Sequence, residues 1–155
     1  MSWWWEFFDE RNMTSYYKNI ADVSEQMLLA GDGDFFPVSL SAFGFEKYAV
    51  KCGSSYFVYL LNNSTNPNGA EVRLSVDEDE SYFVTKLDPE NNKFSALDQV
   101  APSSGEISLG RIELKSREAV VFILSLDQTS VGFTTPYLGK ENNLPGIIEA
   151  ENFDL

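Results

Sequence analysis

The spacing of apolar residues changes along this chain. Over residues 15–30, Tyr16, Ile20, Val23 and Met27 recur at spacings of four, three and four, with Leu28 widening the stripe. That period predicts an amphipathic helix. Thr14 can cap its start, and Gly31 is placed to end it. Ahead of the helix, Ser2-Trp3-Trp4-Trp5-Glu6-Phe7-Phe8-Asp9 is an almost unbroken aromatic run. It predicts a short strand over residues 1–9, buried on both faces as in a parallel sheet. Glu10–Met13 reads as a loop, and Gly31-Asp32-Gly33-Asp34 as a polar hinge.

From Phe35 to about Leu126 the period becomes two. Phe36–Phe43 and Glu46–Cys52 are the first candidate strands. Tyr56–Leu61 (YFVYLL) is apolar on both parities, as a central strand requires. The polar run Asn62–Gly69 is a turn. Val72, Leu74 and Val76 then alternate with Glu71, Arg73, Ser75 and Asp77, giving one buried and one wet face. An acidic turn at Asp77–Glu80 precedes a strand at Tyr82–Leu87, and a second turn follows at Asp88–Asn92. Ile107 and Leu109 share one parity and Ile112 and Leu114 the other, with Gly110 between them. Such a slip of phase predicts a β-bulge or a strand break at the glycine. Ala119–Leu126 (AVVFILSL) closes the series. Turn signals about every ten residues predict a mainly β fold, an antiparallel β-sandwich of about seven or eight strands preceded by one βα unit. Residues 127–146 lose periodicity and read as a linker, and Ile147–Leu155 reads as the opening of a further strand.

Composition narrows the function classes. The 155 residues carry 11 Lys+Arg against 24 Asp+Glu, a formal charge of −13. A surface so acidic repels phosphate backbones and anionic membranes, so no nucleic-acid partner is expected. There is no histidine, which removes Ser-His-Asp and Cys-His nucleophile systems and His-ligated zinc or haem. The single cysteine, Cys52, forms no intrachain disulfide and reads as a small core residue. No stretch reaches the ~18 apolar residues of a membrane span. Residues 1–11 lack the basic and apolar regions of a signal peptide, so a secreted protein would carry its signal outside these 155 residues.

Three stretches resemble parts of known families. Met1-Ser2-Trp3-Trp4-Trp5-Glu6, followed by Thr14 and Tyr16-Tyr17-Lys18, resembles the eighth strand and helix of (β/α)8-barrel glycoside hydrolases, where SWWW(E/D) and L-x-P-x-(F/Y)-(F/Y)-K precede a C-terminal sandwich. Thr14-Ser15 departs from the proline context. Tyr82–Asn92 is similar to the Y-x-V-x-W-x-D-P-x-(T/N)-G turn of that sandwich, with Leu87 and Asn92 departing from the aromatic and the glycine. Leu144-Pro145-Gly146-Ile147-Ile148-Glu149-Ala150-Glu151-Asn152-Phe153-Asp154 resembles the first strand of family 6 carbohydrate-binding modules. The resemblance implies a last βα unit of a barrel at 1–32, an accessory β-sandwich at 33–127, a linker at 128–143 and the first strand of a binding module at 144–155. It implies a fragment of a secreted polysaccharide-degrading enzyme, whose partners are the polysaccharide and the rest of the barrel.

In a retaining enzyme of that kind two carboxyl groups stand ~5–5.5 Å apart. The resemblance places them on the fourth and seventh barrel strands, upstream of Met1, and so implies no catalytic residue in this chain. It implies that one of Trp3, Trp4 and Trp5 lines a sugar subsite, where indole stacks on the apolar face of a sugar. Glu6 and Asp9 would be positioned to bond sugar hydroxyls. The residues alone allow all three tryptophans to be core or interface aromatics and both acids to be solvated. Glu149 and Glu151, two apart on a strand, project from one face. The resemblance makes them part of a structural Ca²⁺ site whose other ligands lie beyond Leu155, and it implies no other cofactor. The alternative is a stand-alone carbohydrate-binding or adhesion sandwich whose helix packs on its own sheet. Under the fragment reading one helix face would lack a partner.

Overall fold

The computed structural model describes residues 6–7, 10–11, 13–31, 34–77, 79–89 and 93–127. A helix, α1 (Thr14–Gly31), is followed by nine strands among these residues: β1 (Phe36–Pro37), β2 (Leu40–Ala42), β3 (Glu46–Cys52), β4 (Ser55–Leu61), β5 (Asn68–Ser75), β6 (Phe83–Asp88), β7 (Lys93–Ala96), β8 (Glu106–Leu114) and β9 (Ala119–Ser125). All pairings are antiparallel. One sheet has the order β1-β3-β4-β9-β6-β7 and the other β2-β5-β8. The mainly β sandwich predicted from the periodicity is the fold observed. No helix among the described residues is long and apolar enough to cross a membrane.

The core lies between the sheets. Tyr56, Val58 and Leu60 of β4 and Val120, Phe122 and Leu124 of β9 join Val72 and Leu74 of β5 and Ile107 and Leu114 of β8 in one buried cluster. The other parity of β4 and β9 is buried as well, because α1 lies over the outer face of the larger sheet. There Cys52, Phe57 and Ile123 pack with Val23, Met27 and Ala30. The inner face of these central strands is fully buried and the outer face is buried at Phe57 and Ile123, so apolar residues fall on both parities of YFVYLL and AVVFILSL. The expected slip at Gly110 is a bulge. The β5–β8 register shifts at Val72/Arg73, where Leu109 is the extra residue, and Gly110 takes φ 73°.

Four expectations change. Glu6 and Phe7 are helical rather than extended, and so is Glu10. A strand needs a neighbour to satisfy its N–H and C=O groups, whereas a helical turn closes its own bonds. Phe36–Phe43 is not one strand. β1 pairs with β3 in the larger sheet and β2 with β5 in the smaller. Between them Val38 N–H donates to Ala49 O at 3.1 Å and Ser39 O accepts from Ser75 N–H at 3.0 Å, one bond to each sheet. β7, a four-residue edge strand paired only with β6, has too short an apolar pattern to announce itself. The buried side of α1 also differs from the expected stripe. Asn19, Val23, Met27 and Ala30 face the sheet, while Ile20 and Leu28 are 64% and 55% exposed.

Close backbone approach seats the helix. Gly31 lies against Cys52, and a Cβ on Gly53, whose φ is +57°, would run into the carbonyl oxygen of Ala30. Gly53→Ala is therefore expected to lift the C-terminal end of α1, at a cost of about 2 kcal/mol or more from the left-handed backbone and the clash together. Cys52 reports it. The thiol is fully buried and burial pushes its pKa up, so it should resist an aromatic disulfide reagent in the native chain. Rapid labelling of Gly53→Ala without denaturant is the expected result, and an unreactive thiol would show that this approach does not hold the helix.

Candidate functional site

Helix α1 does not cover the whole outer face of the larger sheet. Beyond the row Val50–Phe57–Ile123 come two more rows set by register, Tyr48–Tyr59–Val121 and Glu46–Leu61–Ala119. The uncovered strip and the middle of α1, from Asn19 to Met27, form a groove of about 610 Å³. Ile20, Val23 and Met27 line it from the helix, Tyr59, Leu61 and Val121 from the sheet, and Pro89 and Arg117 from two turns.

One polar side chain is buried in this apolar wall. Asn19 is only 4% exposed. Its Nδ2 donates to Pro89 O at 2.8 Å, which ties the helix to the turn after β6. Its Oδ1 is buried without a hydrogen-bond partner, a state that costs about 1–3 kcal/mol. Asp22, one turn on, is also buried, but it is paired with Lys18 Nζ at 2.7 Å. Asn19 thus lines the groove while its own Oδ1 stays buried and unsatisfied.

At the open end Tyr48 and Tyr59 sit opposite each other on β3 and β4, ring centroids 6.2 Å apart and planes 34° from parallel. Tyr48 is 67% exposed. Burial, then the charge of Glu46 and the neighbouring Tyr48, push the Tyr59 phenol up, so it stays a neutral donor through the physiological range. A polar rim follows: Arg117 donates to Asn63 Oδ1, and Asn63 Nδ2 donates to Glu46 Oε1 at 2.5 Å. Arg117 holds φ 61° at the β8–β9 turn. The arrangement suits binding rather than chemistry. It offers an apolar floor with one exposed phenol ring, Tyr48, and one half-buried phenol, Tyr59. Among the described residues no group of three or more His, Cys, Asp and Glu side chains converges to hold a metal.

Of the residues singled out in the sequence, Glu6 is exposed and does not line this groove. Trp3, Trp4, Trp5, Asp9, Glu149 and Glu151 lie outside the described residues, as do the linker and the binding-module strand. Asn19, Tyr48 and Tyr59 were not singled out. The signal for Asn19 was a polar residue four before Val23, in line with Met27 and Ala30. The signal for Tyr48 was an aromatic on a strand parity otherwise facing solvent.

No protein-family profile matches the chain, and no curated protein matches it. Three solved structures similar to it are glycoside hydrolases. An endoxylanase of family 30 from Clostridium papyrosolvens is 11% identical, over 52% of this chain and 20% of its own, with a TM-score of 0.36. An endoglucanase of family 44 from Clostridium acetobutylicum is 16% identical, over 54% and 17%, with a TM-score of 0.35. A family 30 subfamily 8 xylanase from Clostridium acetobutylicum is 10% identical, over 54% and 21%, with a TM-score of 0.38. The matched part spans about a fifth of the length of these enzymes.

Proposed function

We propose that this chain is a non-catalytic accessory part of a secreted polysaccharide-degrading glycoside hydrolase, in which the sandwich braces a catalytic barrel and leads on to a carbohydrate-binding module. The observation that carries this reading is the outward side of α1. With the sheet already packed on Val23, Met27 and Ala30, Leu28 and Leu29 stay 55% and 79% exposed. A helix whose far side met only water would carry charge at such positions. Adjacent exposed leucines mark a surface that a further body covers. The resemblance of residues 1–18 and 82–92 to the barrel end and its companion sandwich supplies the identity of that body.

The second reading, a carbohydrate-binding sandwich, is favoured by the exposed Tyr48 ring beside the half-buried Tyr59, since phenol rings stack on sugar faces. Reducing-sugar release and affinity gels with mannan, laminarin, xylan, cellulose and agar separate the two. The bracing reading expects no hydrolysis and no retardation by any polymer. Retardation by one polymer, lost in Tyr48→Ala, would establish the second reading. Hydrolysis would overturn both.

A further inference from the structure

We propose that Asn68 is a modification site, where the side-chain amide is lost as ammonia and the product, aspartate or isoaspartate, lets go of the β2–β3 turn. Asn68-Gly69 is the one Asn-Gly pair in the chain. The reaction needs water, a following backbone nitrogen that reaches the side-chain carbon, and nothing on the next residue in the way. Asn68 and Gly69 are both half-buried at the start of β5, within reach of solvent. Gly69 N–H donates to Asn68 Oδ1 at 2.9 Å. Cγ, bonded to that oxygen at ~1.2 Å, therefore lies within about 4 Å of the nitrogen. Gly69 has no Cβ to obstruct the approach. The Arg111 guanidinium lies against it, with Nη2 2.9 Å from where a Cβ would stand. A cation there favours the deprotonated nitrogen that attacks and the carboxylate that results.

The Gly69 nitrogen gives up its proton to solvent and forms a bond to Asn68 Cγ. The Cγ–Nδ2 bond breaks, and Nδ2 leaves as ammonia, taking up a proton in place of the one Gly69 lost. Water then opens the five-membered imide at either carbonyl, giving aspartate or isoaspartate, with one water consumed for each ammonia released. Asn63-Ser64 is the contrast within the same loop. Ser64 N–H donates to Asn62 Oδ1 at 3.1 Å rather than to Asn63, and Asn63 is held between Arg117 and Glu46. The tied nitrogen and the Ser64 Cβ keep that pair unreactive. Reaction at Asn68 is felt across the loop. Asn68 Nδ2 donates to Gly44 O at 3.1 Å, on the turn that carries Phe43, which is 91% exposed. The product puts a carboxylate oxygen where that donor stood, so two acceptors face each other. Lys47 Nζ still donates to Ala42 O at 3.2 Å, which confines the loosening to residues 43–45. Isoaspartate also lengthens the backbone at the residue paired with Leu114.

The test holds the full chain folded in mildly alkaline buffer at physiological temperature and follows it by peptide mapping and by an isoaspartate-specific methyltransferase. The expected result is that the deamidated mass and the methyl label accumulate at position 68 and not at position 63. Gly69→Ala should slow the reaction about tenfold or more, because the new Cβ blocks the approach. That methyl meets side-chain atoms of Arg111 and Glu113 rather than backbone. Asn68→Asp carries the product from the start, and its amides at 43–45 should exchange faster than in the unsubstituted chain, with Ala49 and Val58 unchanged. Asn68 left intact in the folded chain would overturn the proposal, and reaction in urea alone would show that the fold shields it. Equal reaction at Asn63, or a rate untouched by Gly69→Ala, would overturn it too, because the geometry would then select nothing. Unchanged exchange at 43–45 in Asn68→Asp would overturn the loosening of the turn. The comparison of positions 68 and 63 uses the unsubstituted chain, so it decides even where a variant fails to fold.

Discussion

Phe122→Ala is expected to destabilise the sandwich by about 3–5 kcal/mol, the range for deleting a fully buried aromatic ring. Phe122 is 1% exposed, at the middle of β9, between Val58 of β4 and Lys86 of β6. Its ring points into the cluster shared by both sheets. The loss combines the transfer free energy of the ring with the cavity left among strands whose register holds them apart. Val121→Ala is the internal comparison. It removes two methyl groups from the half-buried outer face of the same strand, and about 1–1.5 kcal/mol is expected. Urea titrations followed by far-UV circular dichroism measure both. Phe122→Ala should move the midpoint well below that of Val121→Ala with little change in slope. Equal losses would mean that the inter-sheet core is not the main source of stability.

Asn62→Leu should cost about 2–4 kcal/mol through unsatisfied polar groups, although the volumes are similar. Asn62 is wholly buried in the turn after β4. Its Nδ2 donates to the carbonyls of Asn66 at 2.8 Å, Leu114 at 3.2 Å and Lys115 at 2.8 Å, and its Oδ1 accepts from Ser64 N–H at 3.1 Å. Its own backbone bonds Glu118 O at 2.9 Å and Arg117 N–H at 3.0 Å. One side chain thus pins the β4–β5 loop to the β8–β9 turn, joining the two sheets at one end. Leucine leaves the carbonyls facing an apolar group. Amide exchange should accelerate at Ser64 and around 115–118 more than in the middle of β4. A loss below about 0.5 kcal/mol would show that water takes over these bonds.

Particular residues show how far the sequence reaches. Both-parity burial of β4 and β9, the alternation through Val72–Asp77 and the bulge at Gly110 were legible because each is a local pattern with one physical meaning. The ends of α1 were legible for the same reason. Its orientation was not. Two apolar sides compete on that helix, one with Ile20 and Leu28 and one with Val23, Met27 and Ala30, and the sheet chose the second. The choice turns on Gly31 and Gly53 letting the backbones approach and on Asn19 reaching Pro89 O. None of these has a periodic signature. The aromatic run before α1 misled at Glu6 and Phe7, because bulky apolar residues do not by themselves distinguish a buried strand from a packed helical turn.

The candidate groove was the least legible part. It is made where a helix stops short of covering a sheet, so its residues come from α1, β3, β4, β6, β9 and two turns. By itself the sequence determined that the chain builds a two-faced antiparallel β structure led by one helix, with an acidic surface and no histidine chemistry, because alternation, turn residues and charge act locally. Only the tertiary structure decided which strands share a sheet, that β1 and β2 part company at Val38–Ser39, and that Asn19 ends up buried with an unanswered acceptor. Those outcomes depend on contacts between residues tens of positions apart, where the free energy of burial and the cost of desolvation are settled by packing and not by neighbours in the chain.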